Sequence, residues 1–89
     1  MPYIKQNIRN EHEKFIEVII ASAPDMASGT LNYIISRLIW SAFNGAPSYT
    51  KGNQLMGVLQ CVSQEFYRRK IVPLEKDAIT RNGDLPEGS

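Results

Sequence analysis

The sequence predicts an all-α fold: three main helices plus a short C-terminal helix after Pro73, assembled as a homo-oligomer. Three observations predict it. Apolar residues recur at spacings of three and four in long segments, the period of a buried helix face. Proline and glycine fall between those segments, at Pro24, at Asn44-Gly45-Ala46-Pro47, at Pro73 and at Asn82-Gly83. No segment of useful length alternates with the period of a strand, and nothing repeats internally.

The first helix is expected from about Gln6 to Ala23. Ile8, His12, Phe15, Ile16 and Ile19 fall on one side, and Glu11, Glu13, Lys14 and Glu17 cover most of the rest. Pro24 stops it, because the residue before a proline is pushed out of the helical region. The second helix starts near Ser28 or Gly29, with Ser28 as N-cap, and reaches about Asn44. Leu31, Ile34, Ile35, Leu38, Ile39, Trp40, Ala42 and Phe43 cover well over half its circumference. A helix apolar nearly all round is expected at the centre of its fold. A three-helix chain of this size cannot surround it alone, which argues for a subunit interface. In the following turn, Gly45 suits a left-handed C-terminal position.

The third helix begins near Ser48 to Lys51 and extends to about Val72, with Leu55, Val58 or Leu59, Val62 and Phe66 as its apolar stripe. Gly52 and Gly57 lie inside it, each at about 1 kcal/mol of helix propensity relative to alanine. Close approach of another backbone is their expected use. Pro73 kinks or ends this helix, since it lacks the amide that would bond back to the Arg69 carbonyl. A short helix from Pro73 to Arg81 follows, and Asn82-Gly83 ends it. Residues 1–84 make a single helical domain and 85–89 a tail.

Length and composition narrow the function classes. With 89 residues there is one thin core, so extra stability is expected from a disulfide, a metal or a partner. A single cysteine, Cys61, forms no internal disulfide, and with the single histidine, His12, makes no Cys/His zinc site. Self-association remains, or an unusually well-packed bundle. Ten basic and nine acidic residues leave a net charge near zero, which argues against general nucleic-acid binding. No apolar run approaches the roughly 20 residues of a membrane span. A lone thiol and no secretion signal lead to the expectation of a cytoplasmic protein.

Three segments together resemble a family of small all-helical proteins of tailed phages and bacteria. They are Met1-Pro2-Tyr3-Ile4; Leu31-Asn32-Tyr33 with Ile35 and Arg37-Leu38; and Gly57-Val58-Leu59, Cys61-Val62 and Glu65-Phe66-Tyr67-Arg68-Arg69, followed by Pro73, Glu75, Lys76 and Asn82-Gly83-Asp84. The chain departs from the family pattern at Gln60 and Leu74. The resemblance implies a small helical phage-type protein, in the host cytoplasm if phage-encoded, and implies no activity.

Two polar clusters are the candidate ligand-binding residues. Glu65, Tyr67, Arg68 and Arg69 crowd the turn where the third helix's stripe ends. Arginine forks suit the oxygens of an anion, with Glu65 orienting them, whereas the plainer expectation is a solvated Glu65–Arg69 pair. Asn32, Tyr33 and Arg37 interrupt the apolar second helix and form either a hydrogen-bonded network between helices or a pocket with Tyr33 as floor. Both clusters are expected to converge across a helix pair or subunit boundary. His12 is expected as a half-exposed helix residue and Cys61 as a small packing residue. There is no paired Glu-x-x-Glu spacing for magnesium, so no catalytic residue, metal or cofactor is assigned.

The leading expectation is a protein that sequesters or senses a small anionic ligand, such as a signalling nucleotide of host defence. The alternative is a protein-interaction module for a host or phage protein. A small nucleotide hydrolase ranks below both.

Overall fold

The computed structural model describes residues 4–22 and 27–86. Every regular element among them is helical: α1 (Gln6–Ser22), α2 (Ser28–Asn44), α3 (Tyr49–Phe66), one π turn (Tyr67–Ile71) and α4 (Val72–Asn82). The chain divides into two units, Met1–Leu38 and Ile39–Ser89, with the division inside α2.

In the first unit, α1 opens at Lys5, whose carbonyl accepts from the amides of Ile8 and Arg9 at 3.0 and 3.1 Å. Ala23 and Pro24, where the first helix was expected to stop, lie outside the described residues. The amide of Leu31 bonds to the Ala27 carbonyl at 3.0 Å. The capping position of α2 therefore falls on Ala27, and Ser28 is the first helical residue rather than the expected N-cap. Phe15, Val18, Leu31 and Leu38 are all exposed.

In the second unit, Asn44 ends α2 as expected. Gly45 closes the turn with its amide on the Ser41 carbonyl at 3.2 Å. It does not take the left-handed conformation expected of it, since Gly83 is the sole described residue at positive φ. A Cβ at Gly45 would stand 3.8 Å from its nearest atoms, so nothing steric demands glycine there. Ser48 is the N-cap of α3: its backbone is extended and its hydroxyl accepts from the Lys51 amide at 3.0 Å.

Pro73 does not separate a C-terminal helix, as the sequence had suggested. Helix runs on from Tyr49 to Asn82 through the π turn. The Val72 amide bonds to the Tyr67 carbonyl, five residues back. A proline ring in an α-helix collides with the carbonyl four residues earlier, here that of Arg69. The wider turn before Pro73 relieves that collision without ending the helix. Gly83 then stops it at φ 83°, its amide on the Ile79 carbonyl at 2.8 Å.

No described side chain is buried, so the expected central position of α2 is not found within one chain.

Candidate functional site

The polar turn at the end of α3 is built by helical spacing. Glu65, Arg68 and Arg69 stand three and four positions apart, so all three side chains share one face. Arg68 Nη2 donates to Glu65 Oε2, and Arg69 Nε lies 3.5 Å from Glu65 Oε1. The Glu65 side chain is 16% exposed, and the Arg68 and Arg69 side chains are 69% and 59% exposed. Such pairs contribute a few tenths of a kcal/mol each. The expected Glu65–Arg69 pair is present, and the closer partner is Arg68.

Tyr67 turns away from this pair toward α4. Its hydroxyl donates to the Glu75 carboxylate, 2.8 and 2.9 Å from the two oxygens. In an ordinary α-helix, residues seven apart share a face. The π turn takes one residue more per turn, so here residues eight apart do so. The Tyr67–Glu75 bond thus spans the Pro73 region. The hydrogen bond to Glu75, its negative charge and slight desolvation raise the Tyr67 phenol above its ordinary value of 10.0. Sequence spacing alone did not disclose this pair, because its register exists only with the π turn.

The second polar cluster lies along α2. Ser36 Oγ donates to Asn32 Oδ1 at 3.2 Å. Arg37 Nη1 donates to Tyr33 Oη at 3.0 Å, and its guanidinium carbon is 5.9 Å from the ring centre. That distance is near the limit of a cation–π contact, which extends to about 6 Å. These contacts join residues of one helix, not the two helices that the sequence suggested.

An apolar groove lies elsewhere, in the second unit. Ile39, Trp40, Phe43 and Asn44 of α2 and Gly52, Leu55, Met56 and Leu59 of α3 line an open groove of about 370 Å³. No lining residue carries a charge. Phe43 and Gly52 also border a neighbouring hollow with Pro47, Ser48, Tyr49 and Asn53. A Cβ on Gly52 would lie 3.7 Å from the edge of the Phe43 ring, an ordinary contact with a side chain. Nothing lies within 4 Å of one on Gly57. Within one chain, neither glycine serves the close backbone approach expected of it. The apolar breadth of α2 and Leu55 on the stripe of α3 pointed toward this groove, whereas Met56 was not among the residues expected there.

Cys61 is an exposed thiol, not a packed one. His12 is exposed and borders a hollow with Ile4, Arg9, Glu13 and Ile16. Among the described residues, no three His, Cys, Asp or Glu side chains gather around a possible metal position. No described helix is long and apolar enough to cross a membrane. The groove offers shape and apolar area, and the polar turn offers two exposed guanidinium groups beside Lys70.

No curated protein and no solved structure matches the chain. A family model does match residues 1–85, the domain of unknown function DUF6899, and the chain belongs to that family.

Proposed function

We propose that the protein is a helical protein-interaction module whose apolar faces are completed by a protein partner. The observation that carries this reading is the absence of any buried side chain among the described residues, while large apolar side chains stand exposed on every helix. Single exposed apolar residues are ordinary on protein surfaces, but contiguous ones mark interaction sites. The groove adds aromatic and methionine side chains, types enriched where proteins meet. The resemblance to small proteins of tailed phages supports a partner of host or phage origin. A photoreactive amino acid placed at Trp40 in the full chain tests the reading in cells that produce it. A protein adduct of defined mass, absent when the label sits at exposed Thr80, is the expected result. No adduct at Trp40 overturns the reading.

A second reading has its own observation. Arg68 and Arg69 remain largely exposed around Glu65, with Lys70 adjacent, on a π turn of the kind found often at functional sites. A small anion, such as a signalling nucleotide of host defence, fits their forks. Thermal melting against a nucleotide panel tests it. A ligand present at 100 times its dissociation constant adds about 2.7 kcal/mol. Arg68→Ala should then weaken binding by about ten- to a hundredfold, the equivalent of one charge-assisted hydrogen bond. A panel without any stabilising nucleotide rejects the nucleotide assignment.

A further inference from the structure

We infer that the polar end of α3 holds a chain of linked phosphates, such as the triphosphate of a nucleotide, with Arg68 and Lys76 at its two ends. The inference rests on the anion reading above and names the ligand class of that same site. Register and charge each support it.

The register comes from the π turn. Tyr67 Oη lies 2.8 and 2.9 Å from the Glu75 carboxylate oxygens, so residues eight apart share a face here. Arg68 and Lys76 are the next such pair along the same helical run. In an unbroken α-helix they would stand about 80° apart around the axis. About 12 Å of helix rise separates them. Helical side chains lean toward the N-terminus, as Arg68 does in bonding back to Glu65, so the two charged tips keep that separation. Charge-assisted hydrogen bonds run about 2.7–2.9 Å. A single phosphate therefore meets one of the two cations, whereas a chain of phosphates lying along the face meets both. Lys70, two positions after Arg68, stands on the opposite side of the helix, and Asp77 follows in register with Arg69. Arg68 and Lys76 are thus the two ends of the site.

The charges there are incompletely paired. Both Glu65 oxygens are engaged, by Arg68 and Arg69, and both Glu75 oxygens face the Tyr67 hydroxyl. Arg68 meets Glu65 through Nη2 alone, which leaves the rest of its guanidinium fork to a ligand. The exposed Lys76 ammonium has no carboxylate within ion-pair distance among the described residues. From Glu65 to Lys76 four basic residues stand against two acidic ones, an excess of two positive charges. A phosphate chain supplies matching charge and several acceptor oxygens. The Tyr67–Glu75 bond fixes the register before a ligand arrives, so binding does not have to order the helix.

The test is calorimetric titration of the full chain with inorganic orthophosphate, pyrophosphate and triphosphate in low salt. Affinity should rise at least tenfold from orthophosphate to triphosphate, the equivalent of one further charge-assisted hydrogen bond. Lys76→Ala should abolish that rise and leave the helical circular dichroism unchanged, since the ammonium has no partner among the described residues. Lys76→Arg should keep the rise. Lys70→Ala removes the same charge from the opposite side and should change triphosphate affinity less than threefold. A rise that survives Lys76→Ala, or one that Lys70→Ala diminishes equally, means diffuse attraction between charges and overturns the inference. Tighter binding of a short oligothymidylate than of triphosphate assigns the face to nucleic acid and also overturns it. If no inorganic phosphate binds but a nucleotide stabilises the protein, the phosphate chain is overturned and the anion reading stands. If neither binds, both are overturned.

Discussion

The two ends of α3 differ in how their side chains find partners. At the C-terminal end, Glu65, Tyr67, Arg68 and Glu75 satisfy one another along a single helical run. At the N-terminal end, Trp40, Phe43, Leu55 and Met56 border an open groove and remain partly in water. The difference follows from the two forces. A hydrogen bond needs one correctly placed atom, and helical spacing supplies it three, four or, across a π turn, eight residues away. Apolar burial needs a second surface, which no helix provides for itself. The chemically busy end therefore finds hydrogen-bond partners along its own helix, and the apolar end stays open.

Breaking the groove should have the largest effect. Trp40→Glu removes the main apolar projection and places a charge where a partner would cover it. We expect a loss of about 3–5 kcal/mol in assembly, at least that of truncating a buried tryptophan. The protein adduct expected from a photoreactive residue in the groove, at Leu55, should be lost with it. An adduct that persists in Trp40→Glu would place the required surface elsewhere.

The polar end should respond in the opposite direction. Pro73→Ala restores an amide and removes the ring that the π turn accommodates. Proline lies about 3 kcal/mol below alanine inside a helix, and the π turn already relieves part of that. A gain of about 1–2 kcal/mol in urea unfolding is expected, with greater helical circular dichroism, by the same amount at every protein concentration. A destabilised variant would mean that the π turn, and not plain α-helix, is the favoured state of this segment.

Ser48 tests whether the groove's own scaffold behaves locally. Ser48→Ala removes the cap on the Lys51 amide at the start of α3. It should lower stability by about 1 kcal/mol. Asparagine at the same position should restore the loss, and a failure of that rescue would assign Ser48 a role beyond capping.

Much of this organisation was legible in the residues. Apolar spacing set the extent of α2, and the hydroxyl of Ser48 and the freedom of Gly83 marked two helix boundaries. Pairs four apart, Tyr33 with Arg37 and Glu65 with Arg69, form as spacing alone requires. Two features were hidden for physical reasons. A proline gives the same local signal whether the chain stops or widens by one residue, so Pro73 read as a break. The Tyr67–Glu75 bond depends on that widening and was hidden with it. Gly45 and Gly52 show the same ambiguity, since a glycine can mark a left-handed turn, a close approach or a plain recess. The groove itself depends on which turns of α2 meet α3, and no periodicity within either helix contains that.

The smallest expected effect tests the register of the polar end directly. The folded chain holds the Tyr67 phenol above its ordinary value of 10.0, chiefly through its hydrogen bond to Glu75 and the charge of that carboxylate. A raised value means that the folded state favours the neutral phenol. The resulting stability is fully present below the ordinary tyrosine value and is lost as pH rises through the raised one. The effect is therefore confined to strongly alkaline solution and absent at neutral pH. The difference in tyrosinate absorbance between the unaltered protein and Tyr67→Phe should place the Tyr67 phenol above its ordinary value. Glu75→Ala should bring it back down. Pro73→Ala should do the same without touching either partner, because a return to plain α-helix moves residues eight apart off a common face. A late tyrosine that persists in Pro73→Ala would show that the bond does not need the π turn. One that persists in Glu75→Ala would show that Glu75 is not its cause.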